Sequence, residues 1–373
     1  LYIHIPWCVQ KCPYCDFNSH GQKQQTLPES EYVSHLLDDL EADAQLVGER
    51  EIHSIFIGGG TPSLFSPAAI DKLLTGVRQR VNLSSSAEIT LEANPGTVES
   101  ERFIGFQQAG VNRISIGVQS FQQDKLKGLG RIHDEQQALN AASYAKTAKL
   151  NSFNLDLMHG LPAQSLEDAM FDLNQAIDQT PPHLSWYQLT IEPNTQFHSK
   201  PPTLPSEDIL WDIQERGHKT LKDAGYHQYE ISAYSLPGQQ CQHNLNYWRF
   251  GDYLGIGCGS HGKITQTDKS QILRTVKVKH PKGYMDLSRP YIDKQNLVAT
   301  SELPFEFFMN RFRLLEPCPK QDYCNFTGLG LSEEVNLNLQ RAIDKGLLSE
   351  TSSHWQVTEL GRRYLNTLLE LIV

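Results

Sequence analysis

The chain has 373 residues, 39% of them hydrophobic and 20% charged, which excludes a disordered chain and suits one large α/β domain with a smaller one beside it. Basic side chains number 33 against 43 acidic ones, and the net charge of −10 excludes a global electrostatic footprint for nucleic acid. No apolar run approaches the roughly 18 residues that a membrane helix needs.

The first two-thirds of the chain alternates strand and helix. Strands are expected at residues 1–5, 52–57, 88–92, 113–117, 153–157 and 184–191. Helices are expected between them, at 29–46, 66–81, 99–109, 134–147 and 165–177. Acids at Glu29 and Glu31 suit a helix start, and Ser66-Pro67 reads as an N-cap followed by Pro at the first helical position. The strands are short and apolar on both faces, the mark of βα units in a parallel sheet. Six units fall short of a closed eight-stranded barrel, so the expected fold is α/β, a partial (β/α)6 TIM-like barrel. An open doubly wound sheet is the rival. In either, ligands sit at the C-terminal strand ends.

Beyond residue 195 the rhythm stops. A helix is expected at 207–224, a strand at 229–233, and a Gly- and aromatic-rich stretch over 241–262. Residues 263–294 hold eight Lys or Arg against three Asp. From residue 299 a mostly helical, winged-helix-like domain is expected, with Phe305, Phe308, Phe312 and Leu315 as a core stripe. A helix over 333–345 stopped by Gly346 and a hairpin at 355–357 complete it. Seven basic groups against ten acidic ones over 301–373 argue against nucleic acid as a partner. The expected division is thus 1–195, 196–298 and 299–373.

Seven cysteines, an odd number, with no secretory leader lead us to expect a reducing cytoplasm rather than a disulfide scaffold. The chain opens on Leu1 rather than Met, so a few residues are expected to precede it. Three of the cysteines, Cys8, Cys12 and Cys15, fall within eight residues directly after the first strand. Thiolates are soft ligands that select zinc, copper(I) or iron–sulfur clusters. A zinc knot needs a fourth ligand, for which His4 and His20 are candidates. An electron-transfer [4Fe–4S] cluster uses four cysteines; three would leave one iron open to a ligand.

Cys-x3-Cys-x2-Cys after the first strand of a βα repeat resembles the radical S-adenosylmethionine (SAM) superfamily. In that family the open iron chelates the amino and carboxylate groups of SAM, and cluster reduction yields a 5′-deoxyadenosyl radical. The second strand ends in Gly58-Gly59-Gly60-Thr61-Pro62, which looks like the family's loop for the SAM amino group. Glu92, Gln119 and Asp156 stand near three further strand ends, and Arg131 lies in Leu129-Gly130-Arg131. Any one of these alone reads as a solvated cap. Together they suit ribose hydroxyls and adenine edges, and Arg131 suits a carboxylate. Tyr2 and Tyr14 flank the cysteines, as adenosyl-packing or core aromatics. The resemblance implies a [4Fe–4S] cluster and SAM as cofactors.

The whole chain resembles the oxygen-independent coproporphyrinogen III dehydrogenase family, through Tyr2-Ile3-His4-Ile5-Pro6-Trp7-Cys8 and Gly117-Val118-Gln119-Ser120-Phe121. One branch oxidatively decarboxylates coproporphyrinogen III; another comprises heme chaperones of the HemW type. The dehydrogenases carry a further Cys two residues past the third ligand, where this chain has Phe17. His243-Asn244-Leu245-Asn246-Tyr247-Trp248 matches the chaperones' His-Asn-x-x-Tyr-Trp motif. The implied function is binding heme and transferring it to respiratory hemoproteins, with the dehydrogenase activity as the alternative. His243 is the expected heme ligand; Cys241 and His261 are weaker candidates. Lys277, Lys279 and Lys282 are expected to meet heme propionates or an anionic membrane surface, or to be a solvated hairpin. A homodimer is a further expectation.

Overall fold

The structure, a computed structural model, describes residues 1–22, 26–97, 100–266, 269 and 271–372. The expected βα units form. Strands β1 (Tyr2–Ile5), β2 (Ile52–Gly59), β3 (Leu83–Ala93), β4 (Arg113–Gln119), β5 (Ser152–His159) and β6 (His183–Gln188) lie side by side in chain order, every neighbouring pair parallel. Across these six strands the order never reverses, unlike a doubly wound sheet with its switch point. The fold is a partial barrel.

Helices α1 (Glu29–Ala44), α2 (Pro67–Arg80), α3 (Ser100–Gln108), α4 (Glu135–Thr147) and α5 (Leu166–Asp178) cover the outer face. Ser66 caps α2, its Oγ accepting from the Ala69 N–H at 3.2 Å, and Asp134 and Ser165 each head a capping box. The main core lies between sheet and helices and includes Ile3, Ile57, Leu91, Ile116, Leu155 and Leu184, each fully buried. The start of the expected 99–109 helix at Glu99 lies outside the described residues.

Departures from expectation cluster after residue 188. The single strand expected at 229–233 is two antiparallel ones, β7 (His227–Glu230) and β8 (Ala233–Ser235). The Glu230 carboxylate accepts from the Ser232 N–H at 3.2 Å, which folds the chain back. After helix α6 (Glu207–Asp223), the stretch at 241–262 holds a helix, α7 (Gln242–Trp248), and strand β9 (Gly255–Ile256), which joins the free edge of β1 in parallel. The basic stretch forms a second, antiparallel sheet of β10 (His261–Gln266), β11 (Gln271–Lys277) and β12 (Ile292–Leu297).

In the tail, helices α8 (Leu303–Arg311) and α9 (Glu333–Asp344) precede a hairpin of β13 (Leu348–Glu350) and β14 (His354–Val357). Gly346 ends the second helix region with φ of 70°. The α8 stripe is Phe307, Phe308 and Phe312; Phe305 is only half-buried. This second core also takes in Phe250 and Ile272, so its packing crosses the expected boundary at 299. No helix among the described residues is long and apolar enough to cross a membrane.

Candidate functional site

Cys8, Cys12 and Cys15 sit on the loop leaving β1, at the mouth formed by the C-terminal strand ends. The loop is pinned at three points. The Gly60 N–H donates to Ile5 O at 2.7 Å, the Thr61 N–H to Trp7 O at 2.8 Å, and the Cys15 N–H to Cys12 O at 3.1 Å. The close approach of the β2 end to this loop needs glycine at 59 and 60. A Cβ on Gly60 would stand 2.6 Å from Trp7 O, and one on Gly59, at φ of 113°, would stand 2.4 Å from the His4 ring.

All three thiols are free and line one cavity of about 500 Å³. Gly59, Gly60, Thr61, Glu92, Gln119, Arg131, Asp156 and Tyr14 line the same cavity, so the residues drawn from five strand ends converge. Tyr2 does not line it. Its hydroxyl meets His4 Nδ1 at 3.0 Å, and it faces an adjoining cavity of about 730 Å³. Gly59 and Glu92 border both cavities.

Each polar group is held by its neighbours. The Gly59 N–H donates to Glu92 Oε2 at 3.0 Å. Burial, then the nearby Asp156, push the Glu92 carboxyl up to about 8. Asp156 accepts from Ser115 Oγ at 3.0 Å and from Asn154 Nδ2 at 2.7 Å; burial raises it too. Gln119 has φ of 68°, a strained value for a side chain other than glycine, and its Oε1 accepts from the Tyr187 hydroxyl at 2.9 Å. Arg131 donates to Gly117 O at 2.6 Å and points a second nitrogen at Cys12 Sγ, 3.7 Å away. Its Nε is buried without a partner, an unmet donor beside the thiols.

This donor set fits a polynuclear cluster better than a zinc knot. Among the described residues no three His, Cys, Asp or Glu converge on a single-ion site. His4 is already engaged at both nitrogens, by Tyr2 and by Asn18 O at 2.9 Å. His20 has a buried Nε2 and packs against His280, with ring centroids 5.4 Å apart. Three thiols around a cavity that also holds carboxylates, an amide and a guanidinium suit a cluster with one open position facing a polar ligand.

His243 is not brought to either cavity. It is 2% exposed, with Nδ1 3.0 Å from Ser54 Oγ and its ring stacked on Phe56 at 5.1 Å. Burial, and then nearby positive charge, hold its imidazole well below its ordinary pKa, so it is neutral. Its motif helix α7 is fixed from below: Glu88 accepts from the Gln242 and His243 N–H groups, both at 3.1 Å, and from Cys241 Sγ at 3.4 Å. Cys241 is thereby buried as well. Of the motif, Asn244 and Trp248 reach the first cavity and Tyr247 the second.

The expected role of Lys277 is overturned. It is fully buried, with Nζ 2.5 Å from Asp39 and 2.7 Å from Asp43. A buried ammonium already paired with two carboxylates has nothing left for propionates or lipid. Lys263 is likewise inside, 3.1 Å from Asp252. Lys279 and Lys282 are exposed, and Lys279 borders the second cavity. Sequence reasoning missed Tyr187, Ser115 and Ser185, which line the first cavity; period-2 placement of polar residues on β4 and β6 was the available signal.

A partial barrel with three free thiols at its mouth defines a class, and the comparisons agree with it. Residues 2–173 match the radical SAM superfamily model, and residues 299–364 match the HemN C-terminal domain model. The chain is 60% identical over 373 residues to the heme chaperone HemW of Escherichia coli, covering 100% of this chain and 97% of that protein. It is 57% identical over 377 residues to the heme chaperone HemW of Haemophilus influenzae, covering 100% and 97%. It is 32% identical over 370 residues to that of Bacillus subtilis, covering 97% and 95%. The chain belongs to the HemW heme chaperone family. A solved structure of coproporphyrinogen III oxidase from Escherichia coli, described as a radical SAM enzyme, superposes with a TM-score of 0.84 at 21% identity, over 100% of this chain and 89% of that one. That likeness shows the fold alone.

Proposed function

We propose that this chain binds heme and passes it to respiratory hemoproteins, on a scaffold that holds a [4Fe–4S] cluster and SAM. The observation that carries the scaffold reading is the convergence of Cys8, Cys12 and Cys15 with Glu92, Gln119, Arg131 and Asp156 on one cavity. In this reading the three thiols hold the cluster, which supplies a reducing electron and one open coordination place. Gly59, Gly60 and Thr61 present backbone to the amino group of SAM. Glu92 and Asp156 accept hydroxyl donors, Gln119 meets the adenine edge, Arg131 pairs with the carboxylate, and Tyr14 walls the adenosyl group.

Heme is cargo. Its contact surface is assigned to the walls around Tyr247 and Trp248 rather than to His243, whose ring is sealed between Ser54 and Phe56. Family membership supports heme as the ligand. The identities with the HemW chaperones span essentially the whole chain, whereas the likeness to the oxidase is one of fold.

Anaerobically reconstituted protein titrated with hemin should develop a saturable Soret band at one heme per chain. With SAM and a reductant it should not decarboxylate coproporphyrinogen III. Absence of the Soret band, or robust decarboxylation, would overturn the reading.

A further inference from the structure

Strand β4 ends on a strained turn. Gln119, its last residue, has φ of 68°, and the Ser120 N–H donates to Val118 O at 2.9 Å. A three-residue turn of this kind, closed about a residue of positive φ, is a rare γ-turn. The register against β5 slips at the same place, between Gly117 and Gln119, and such a bulge re-aims a side chain. Backbone strain persists only where the surroundings over-determine it. Here they do so from outside the cavity. His133 Nε2 lies 3.0 Å from Val118 O. Asp172, on α5, accepts from Ser120 Oγ at 2.7 Å and from the Phe121 N–H at 2.8 Å. Ser120, His133 and Asp172 are all buried, and none of them lines the cysteine cavity.

The side chain of Gln119 is held from the other direction. Tyr187, on β6, lines the cavity and donates its hydroxyl to Gln119 Oε1 at 2.9 Å. Its ring packs against the cluster of Met158, Leu189 and Phe197. Burial, then the nearby Tyr14, hold the phenol well above its ordinary pKa, so it keeps its proton. That hydrogen has no other acceptor among the described residues, and turning the amide over would leave it unmet. With Oε1 taken, Gln119 Nε2 is left over. It makes no hydrogen bond among the described residues and stands 3.0 Å from where a Cβ on Gly117 would lie, on the cavity wall.

We propose that Tyr187 is a positioning residue that fixes the polarity of the Gln119 amide, so that Gln119 meets the adenosyl group as an N–H donor. The ends of β3, β4 and β5 then present an acceptor, a donor and an acceptor in turn, through Glu92, Gln119 and Asp156. A ligand matching all three carries hydrogen-bond donors on either side of an acceptor atom, as the hydroxyls and acceptor atoms of a nucleoside allow. The inference rests on the SAM-binding reading above and adds which way Gln119 faces and what holds it there.

The test is a calorimetric titration with SAM, at pH 8, of the anaerobically reconstituted full chain as wild type, Tyr187→Phe, Gln119→Leu, the double variant and Gln119→Glu. Circular dichroism first establishes that each variant is folded. Tyr187→Phe should weaken SAM binding about tenfold in the wild-type background and less than twofold in the Gln119→Leu background. Gln119→Glu keeps an acceptor for Tyr187 and removes the donor to the ligand. It should weaken binding at least tenfold, although its added negative charge faces a sulfonium cation. Failure of wild type to bind SAM would overturn the SAM-binding reading itself. No loss in Tyr187→Phe, or an equal loss in both backgrounds, would overturn the positioning role of Tyr187. Binding by Gln119→Glu as tight as wild type would mean that the amide oxygen faces the ligand, and would overturn the polarity. Both of these results leave the SAM-binding reading standing.

Discussion

Asn154 ties Asp156 to His183. Its Nδ2 donates to the Asp156 carboxylate at 2.7 Å, and its Oδ1 stands 2.7 Å from His183 Nδ1. Nδ2 also lies 2.8 Å from Ser115 Oγ, and His183 Nε2 lies 2.8 Å from the Tyr229 hydroxyl. Burial holds His183 well below its ordinary pKa, so the ring is neutral; Nδ1–H donates to Asn154 and Nε2 accepts from Tyr229. Tyr229 in turn accepts from the Cys241 N–H at 3.3 Å. A continuous chain of hydrogen bonds thus runs from the cavity floor to the start of α7.

Replacing Asn154 by Leu takes one hydrogen-bond partner from a buried carboxylate and one from a buried imidazole at once. Each unsatisfied group costs about 1–3 kcal/mol, so Asn154→Leu should lose roughly 2–4 kcal/mol of stability in urea unfolding. SAM affinity, read by calorimetry, should fall about tenfold, because Asp156 loses the Asn154 donor that orients its carboxylate. Unchanged affinity in a folded variant would remove Asp156 from the SAM site.

Lys277 sits between Asp39 and Asp43, and Asp39 also accepts from the Tyr284 hydroxyl at 2.6 Å and the Gly257 N–H at 3.2 Å. The ammonium also meets Asp43 Oδ2 as a close ion pair at 2.7 Å. The cluster ties α1 to β11 and to the edge strand β9. Removing one member of a buried ion pair costs about 3–5 kcal/mol, and Lys277→Met should lose that much. Burial pushes Asp39 up to about 6 from an ordinary 3.8, against the pull of Lys277. The native state therefore binds more protons than the unfolded chain between those values, and this contribution to stability is lost as pH rises through about 6. Without Lys277 the carboxyl rises further, so the variant should unfold at a higher urea concentration at pH 5 than at pH 7.5.

Glu92 should make SAM binding at the proposed site pH-dependent. With its carboxyl pushed up to about 8, the ligand-free protein holds it mostly protonated at neutral pH, whereas accepting ligand hydroxyls favours the carboxylate. Binding then releases a proton, and affinity should climb toward about tenfold per pH unit between pH 6 and 8, flattening above. Calorimetry in buffers of different ionisation enthalpy reads the proton directly. Glu92→Gln should bind more weakly and lose this dependence, which separates it from titration of the ligand. A wild-type pH profile that matches Glu92→Gln would contradict the assignment.

The barrel and the cysteine cavity were legible because each rests on a local signal. Ser66, Asp134 and Ser165 announce helix starts by chemistry that acts within three residues. The cysteine spacing and the triple glycine each sit at a strand end, where parallel packing in chain order forces convergence. What stayed hidden was long-range. Gly255–Ile256 is two residues long and has no periodicity to read. Glu88 caps α7 across 154 residues of chain, and Lys277 reaches Asp39 across 238. A basic stretch looks solvent-facing until its acidic partners are placed. Phe305 and Phe308 share a helical spacing, but α8 buries Phe307 beside Phe308 and leaves Phe305 half-buried, because Tyr323 and Phe250 pack against Phe307. The exclusion of His243 from both cavities came from Ser54 and Phe56, which no spacing rule connects to it.

The three-thiol cluster with an open position is most directly tested by electron paramagnetic resonance of the anaerobically reconstituted, reduced protein with and without SAM. A [4Fe–4S] signal should be present in the wild type, should change on adding SAM, and should vanish in Cys8→Ala, Cys12→Ala and Cys15→Ala but persist in Cys318→Ala. A signal that SAM leaves unaltered, or one that survives loss of any of the three thiols, would contradict it.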